Sequence, residues 1–141
     1  MILKIVTPEK VIYDGEIDEL IIPTATGEIA VLPHHIDLLT LITPGEMTIK
    51  HKGKEQHVAL TGGFLQIEKD TLTLLSDYAI RSEEIDIKKA QEAQKRAEET
   101  LKKKGDLSER DFAVAEAEMR RAILELKASG RRRANRQQMP S

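Results

Sequence analysis

The sequence contains no cysteine and no tryptophan. The first absence removes disulfides, thiolate metal sites and thiol nucleophiles together. Aromatic residues make up only 3% of the 141 positions, against 40% hydrophobic residues in all. A core must therefore be assembled from Ile, Leu, Val and Ala. Nowhere does an apolar run approach the roughly 20 residues of a membrane-spanning helix. The opening residues Met1-Ile2-Leu3-Lys4 lack the basic head and small-residue cleavage site of a signal peptide. The expectation is a soluble intracellular protein without an inserted segment, and docking on a membrane complex stays open.

Arginine is missing from everything before Arg81. Residues 1–80 hold six lysines against twelve acids, a net charge of −6, whereas residues 81–141 hold sixteen bases against twelve acids, a net of +4. The overall balance of −2 hides this split. Two halves with different partners are implied.

The first half alternates like strands. Ile2–Val6, Glu16–Ile22, Met47–His51 and Thr71–Leu75 are short, and Thr7-Pro8, Asp14-Gly15, Pro44-Gly45, Lys52-Gly53 and Lys69-Asp70 supply turns between them. Ile29–Leu32, Gln56–Leu60 and Phe64–Glu68 fit further strands. Such spacing predicts an antiparallel sandwich or barrel. The second half changes to helical period. Asp86 caps a helix carrying Ile87, Ala90, Ala93, Ala97 and Leu101, which Gly105 stops after Lys102-Lys103-Lys104. Ser108 caps a second helix with the stripe Phe112, Ala115, Met119, Ala122 or Ile123, and Leu126, ended by Gly130. The short connection predicts an antiparallel hairpin. Its alanine-rich seam stabilises docking only modestly, because a buried methyl contributes about 0.8 kcal/mol against roughly 1.5–3 for a leucine.

Catalytic chemistry finds little support. His34 and His35 are adjacent, so on a strand they point apart and cannot share a metal ion. Gly27 and Gly62-Gly63 read as turn glycines without a phosphate-binding motif. No GxSxG serine is present, and Ser76, Ser82, Ser108 and Ser129 fall at strand ends, caps or a tail. Arg131-Arg132-Arg133 with Arg136 suits an acidic protein surface, anionic lipid or nucleic acid, and equally a solvated basic end. No aromatics interleave it for base stacking, so a nucleic-acid partner is not expected.

The segment Gly27-Glu28-Ile29-Ala30-Val31-Leu32-Pro33-His34-His35, followed by Leu38-Leu39 and Pro44-Gly45, resembles the signature loop of the epsilon subunits of bacterial F-type ATP synthases. Thr61-Gly62-Gly63-Phe64-Leu65-Gln66-Ile67 and Ile85-Asp86-Ile87-Lys88-Lys89-Ala90 resemble that family's later motifs, in the same order. The resemblance implies a ten-stranded antiparallel β-sandwich over 1–84 and a mobile two-helix regulatory hairpin over 85–130, while the composition of 131–141 predicts a disordered basic tail. It implies a non-catalytic central-stalk subunit at the cytoplasmic face of the bacterial membrane, binding the gamma subunit and the membrane rotor ring. By position, Thr26, Gly27, Glu28 and His35 fall in ring-contact loops and Asp86 caps the arm. Extended beside gamma, the arm would meet alpha and beta and restrain ATP hydrolysis, with Arg110, Arg120, Arg121 and Lys127 as contacts to beta. The alternative is a nucleotide-sensing module whose arm folds around ATP through Asp86, Lys89, Arg96 and Arg121. Ile80, Lys89 and Glu125 stand where ATP-binding members carry Glu, Arg and Arg, and lysine does not reproduce arginine's planar fork. Weak or absent ATP binding and no cofactor are expected. Ala30, His34 and Asp37 also depart from the family's usual Gly, Gly and Pro.

Overall fold

Alternation of buried and exposed residues builds the first half. In β1 (Ile2–Val6), Leu3 and Ile5 are fully buried while Ile2 and Lys4 face outward. The same period runs through β3 (Glu19–Thr24), β6 (Gly45–His51), β8 (Gly63–Glu68) and β9 (Thr71–Leu75), which bury Leu20 and Ile22, Met47 and Ile49, Leu65 and Ile67, and Leu72 and Leu74. The remaining strands are β2 (Val11–Glu16), β4 (Gly27–Val31), β5 (Leu38–Ile42), β7 (Lys54–Leu60) and β10 (Ala79–Arg81). The computed structural model describes residues 1–103 and 105–138, with side chains as far as Gly130.

The strands follow one path, β10-β7-β6-β3-β5-β8-β9-β1-β2, with β4 paired to β3. A single residue pair, Thr24 with Ile42, joins β3 to β5, so the sheet folds over there into two layers. The core lies between them and is built from aliphatic side chains and Met47. Arg81 links the two ends of the path: its guanidinium donates to the Ile12 carbonyl at 3.1 Å and lies 6.0 Å from the centre of the Tyr13 ring.

Four expectations need correction. The sheet is mixed, because β1 pairs with β9 in parallel. Asp14-Gly15 is no turn: both residues sit inside β2, opposite Lys4 and Leu3. The turn instead divides the expected Glu16–Ile22 strand, since β2 ends at Glu16 and β3 starts at Glu19. Gly62 and Gly63 answer to close approach as well as to turning. A Cβ on Gly62 would lie 2.9 Å from the Ile42 carbonyl oxygen, and one on Gly63 only 1.9 Å from that of Leu75.

The chain divides into two compact units, 1–84 and 85–141. In the second, α1 (Ile87–Leu101) and α2 (Glu109–Gln138) pack against each other. Ala90 and Ala97 on α1, and Ala115 and Ala122 on α2, are buried at matching seven-residue spacings, which is the expected small-residue seam. Phe112 and Ile123 are exposed, so they do not belong to it. Gly130 does not end α2. The helix continues to Gln138 where the composition predicts a disordered tail, and 139–141 lie outside the described residues. A helical glycine costs about 1 kcal/mol relative to alanine, a penalty that the following Arg, Ala and Gln residues offset by propensity. Their positive charge also suits the carboxyl end of a helix.

Both caps form. The Asp86 carboxylate accepts the Lys89 N–H at 3.1 Å, and the Ser108 hydroxyl oxygen accepts the Asp111 N–H at 3.1 Å. Asp86→Ala is expected to lower helix-start stability by about 0.5–2 kcal/mol. Amide exchange at Lys89 and Ala90 should speed up, while protection of Leu65 in the sandwich stays unchanged. Unaltered exchange at Ala90 would show that the cap does not hold this turn.

Candidate functional site

The sequence-predicted site residues lie on the surfaces of the two units, exposed or half-buried. Ala25 and Thr26 form the two-residue turn at the tip of the β3–β4 hairpin, and Gly27 opens β4 beside it. The Thr24 hydroxyl donates to the Gly27 carbonyl at 2.5 Å and accepts the Thr26 N–H at 3.3 Å, which fixes the turn from inside. Gly27 has φ +117°, and a methyl added at its Cα would meet no atom within 4 Å, so the tip is open to solvent. Glu28 follows on β4, exposed and opposite Pro23.

His35 lies elsewhere. It sits beyond the other end of β4, about 13 Å away at 3.3 Å per residue, with its N–H bonded to the Leu32 carbonyl at 3.1 Å. The four expected ring-contact residues therefore form two separate tips. The loop holding His35 is fastened to the two-residue Lys69-Asp70 turn instead. His34 has a left-handed backbone, φ 67°, a conformation that only glycine adopts without strain. Asp70 offsets that strain by accepting the His34 N–H at 2.6 Å, with His34 Nδ1 3.2 Å from its other oxygen. Asp37 returns the tie by accepting the Lys69 N–H at 3.1 Å. His34 and Asp37 thus both end on one turn.

The outer face of the layer β5-β8-β9-β1-β2 carries a surface that the sequence pattern does not announce. The ladders place Leu41 opposite Phe64, Phe64 opposite Leu75, Leu75 beside Val6, and Val6 opposite Val11. Leu41, Phe64, Leu75 and Val11 are all exposed, with Phe64 at 54%. Leu39 extends the patch along β5, and Ile36 is exposed in the loop before it. A groove bounded by Thr7, Pro8, Gly63 and Asp77 adjoins the row beside Phe64. The available signal was β5 itself: Leu38-Leu39-Thr40-Leu41-Ile42 is apolar on both faces, unlike an ordinary half-solvated antiparallel strand.

In the helical unit, Phe112, Glu116, Arg120, Ile123 and Lys127 recur at three- and four-residue spacing, so they share one face of α2. Arg120 pairs with Glu116 at 3.5 Å. Arg110 and Arg121 fall on a different face, and Arg121 is partly buried. The expected contacts to beta are therefore split between two faces. Of the expected nucleotide ligands, Asp86 is committed to its cap, and Lys89 and Arg96 are exposed on α1. Ile80 lies in β10, opposite Ala59. No group of metal-ligating side chains occurs among the described residues, and none of their helices is long and apolar enough to cross a membrane.

Known proteins match both units. The ATP synthase delta/epsilon chain beta-sandwich domain matches residues 1–82, and the long alpha-helix domain of the same chain matches residues 83–130. An ATP synthase epsilon chain of Dehalococcoides mccartyi is 41% identical over 138 residues, covering 96% of both chains. One from Desulforamulus reducens is 40% identical over 127 residues, covering 90% of this chain and 95% of its own. In fold, the chain is similar to one in the Euglena gracilis mitochondrial ATP synthase, with TM-score 0.63, 21% identity and coverage of 96% and 80%. A chain of the Tetrahymena thermophila central stalk and c-ring gives TM-score 0.55 at 17% identity, with coverage of 92% and 96%. With both of its units matched in order, the chain belongs to the ATP synthase epsilon chain family, whose members are non-catalytic subunits of that enzyme.

Proposed function

We propose that this chain is a rotor subunit of a bacterial F-type ATP synthase, joining the gamma subunit to the membrane ring and restraining hydrolysis through its helices. The observation that carries the reading is the exposed row Leu41, Phe64, Leu75 and Val11 with Val6. A contiguous apolar strip on a sandwich surface marks a docking face, and gamma is the occupant that the family supplies. The hairpin tip Thr26-Gly27-Glu28 is assigned to the ring, which puts the subunit peripherally at the cytoplasmic face of the cell membrane. His35 belongs to a separate tip, where its ring nitrogen Nδ1 lies 2.8 Å from the Ile36 carbonyl oxygen.

The inhibitory contact with alpha and beta is assigned to the α2 face of Phe112, Arg120, Ile123 and Lys127. Its mixture of exposed apolar and basic side chains suits an acidic protein surface. The nucleotide-sensing alternative is less well supported: Ile80 offers no carboxylate, and Asp86 already accepts a backbone N–H. An ATP titration of the purified chain, followed by calorimetry, tests that alternative directly.

Phe64→Glu is expected to weaken gamma binding about thirtyfold or more, the scale of losing a 2 kcal/mol hot spot. The urea midpoint of the sandwich should not move, because the ring is more than half exposed. Wild-type affinity for gamma in this variant would sink the docking assignment.

A further inference from the structure

Where the sandwich ends, its last turn is tied to a histidine lodged between two carboxylates. Ser82 opens the one-turn 3-10 helix Ser82–Glu84, which immediately precedes Ile85 and the Asp86 cap. Ser82 is only 4% exposed, and its hydroxyl donates to Glu46 Oε2 at 2.9 Å. The other oxygen of that carboxylate, Oε1, is 3.7 Å from His57 Nδ1. On its far side, His57 Nε2 lies 3.9 Å from Glu55 Oε2. The Glu46 side chain is 15% exposed and that of His57 33%, so this is a half-buried pair rather than a solvated one.

The ladders make the arrangement unavoidable. Thr48 stands opposite His57, Glu46 opposite Ala59 and Lys50 opposite Glu55, so all the polar members share the outer face of β6 and β7. Thr48 Oγ1 is 3.2 Å from His57 Nδ1. In the neutral ring with its proton on Nε2, Nδ1 accepts the threonine hydroxyl. The other charges around the ring are Lys50, which sits 3.6 Å from both Glu55 and Glu19, and the exposed Glu83 and Glu84 of the turn itself. Arg81 is turned to Ile12 and Tyr13. The acids Glu19, Glu46 and Glu55 outnumber the single lysine, so the cluster gains from one more positive charge.

We propose that His57, Glu46 and Ser82 form a proton-sensitive latch on the segment from which the helical unit departs. A proton taken from solvent onto the ring makes both nitrogens donors and turns the contacts with Glu46 and Glu55 into ion pairs. Glu46 Oε1 is then held by the imidazolium, which fixes Oε2 in the orientation that accepts the Ser82 hydroxyl. The extra hold is fully present when the ring is protonated and fades as pH rises and the proton leaves. The latch would bias the departure of a mobile arm, and that consequence alone rests on the function proposed above.

The test uses the full-length, isotope-labelled chain, titrated from about pH 8.5 to 5.5 by nuclear magnetic resonance, a range that brackets imidazole titration. The Ser82 amide signal is expected to move with the same midpoint as the His57 ring. Protection of the amides of residues 79–84, corrected for intrinsic exchange, should rise about threefold or more from pH 8 to pH 6, the scale of a partly exposed ion pair. Glu46→Gln keeps an acceptor for Ser82 but no charge, so both responses should vanish while the His57 ring still titrates. His57→Gln should do the same, and His51→Gln should leave both responses intact. A Ser82 signal that ignores the His57 midpoint, or pH-dependent protection surviving in Glu46→Gln, overturns the latch. Hydrolysis by the assembled enzyme reads the arm separately, so a working latch with no pH effect on hydrolysis would indict the mobile-arm reading alone.

Discussion

Gly63→Ala is expected to destabilise the sandwich by more than about 4 kcal/mol, the range of severe single substitutions, and to leave much of the chain unfolded in mild urea. Gly63 opens β8 with φ +148°, a conformation that an L side chain rarely adopts. The added Cβ would stand 1.9 Å from the Leu75 oxygen, 3.0 Å from its carbon and 3.1 Å from Ser76 Cα. All three are backbone atoms, so no side chain can swing aside. Moving them means opening the β8–β9 ladder where Phe64 faces Leu75, and with it the Ser76 hydroxyl bond to the Gly62 carbonyl. Gly27→Ala provides the control, since its φ of +117° is strained but nothing lies within 4 Å of the new methyl. It should lose only about 1–2 kcal/mol. Urea unfolding of the two variants and the wild type makes the comparison, and equal midpoints for Gly63→Ala and wild type would refute the close-approach account.

Removal of residues from Ile85 onward is expected to raise ATP hydrolysis by the assembled enzyme several-fold, with proton-driven synthesis largely retained. The sandwich keeps its own core and all ten strands without those residues. What is lost is a unit whose exposed α2 face carries Arg120, Lys127, Phe112 and Ile123. A contact inhibits only by binding one state of the enzyme better than another, and every 1.4 kcal/mol or so of that difference is about tenfold in population. Arg120→Ala with Lys127→Ala should reproduce part of the rise, and added salt should mimic it for the solvent-accessible pairs. Equal hydrolysis rates for wild type, truncation and double variant, at equal subunit occupancy, would show that the helices are not a brake.

The legible parts of this chain were those where one physical signal acts alone. Strict alternation in Met47–His51 and Thr71–Leu75 marked β6 and β9, and the alanine spacing from Ala90 to Ala122 marked the helical seam. Legibility failed where two signals compete. Asp14-Gly15 has strong turn chemistry, yet β2 tolerates it because pairing with β1 decides the backbone there. Gly130 has the composition of a stop, but the helix propensity of residues 131–138 carries α2 on. Phe112 fitted the helical stripe by spacing and is exposed all the same. In the candidate surfaces, Thr26, Gly27 and Glu28 were readable from their loop, whereas Leu41, Phe64, Leu75 and Val11 were not. Those four come from four different strands, and only the ladder registers bring them into one row. The Glu46–His57–Ser82 cluster was invisible for the same reason.

The parallel ladder between β1 and β9 also constrains how the chain comes into being. Ile2 pairs with Thr71 and Val6 with Leu75, so the first strand waits for residues about 70 positions later before it acquires that neighbour. Pairings of such long sequence separation form slowly, because a large loop must be closed before the contact rewards it. During synthesis Leu3 and Ile5 can join the β1–β2 hairpin early, but their other edge stays open until β9 has left the ribosome. The helical unit has no such delay, since α1 and α2 are joined by a short link and meet soon after both are made. A nascent chain stalled before Thr71 should therefore expose an unpaired β1 edge, and that is the interval in which association with other chains is most easily begun.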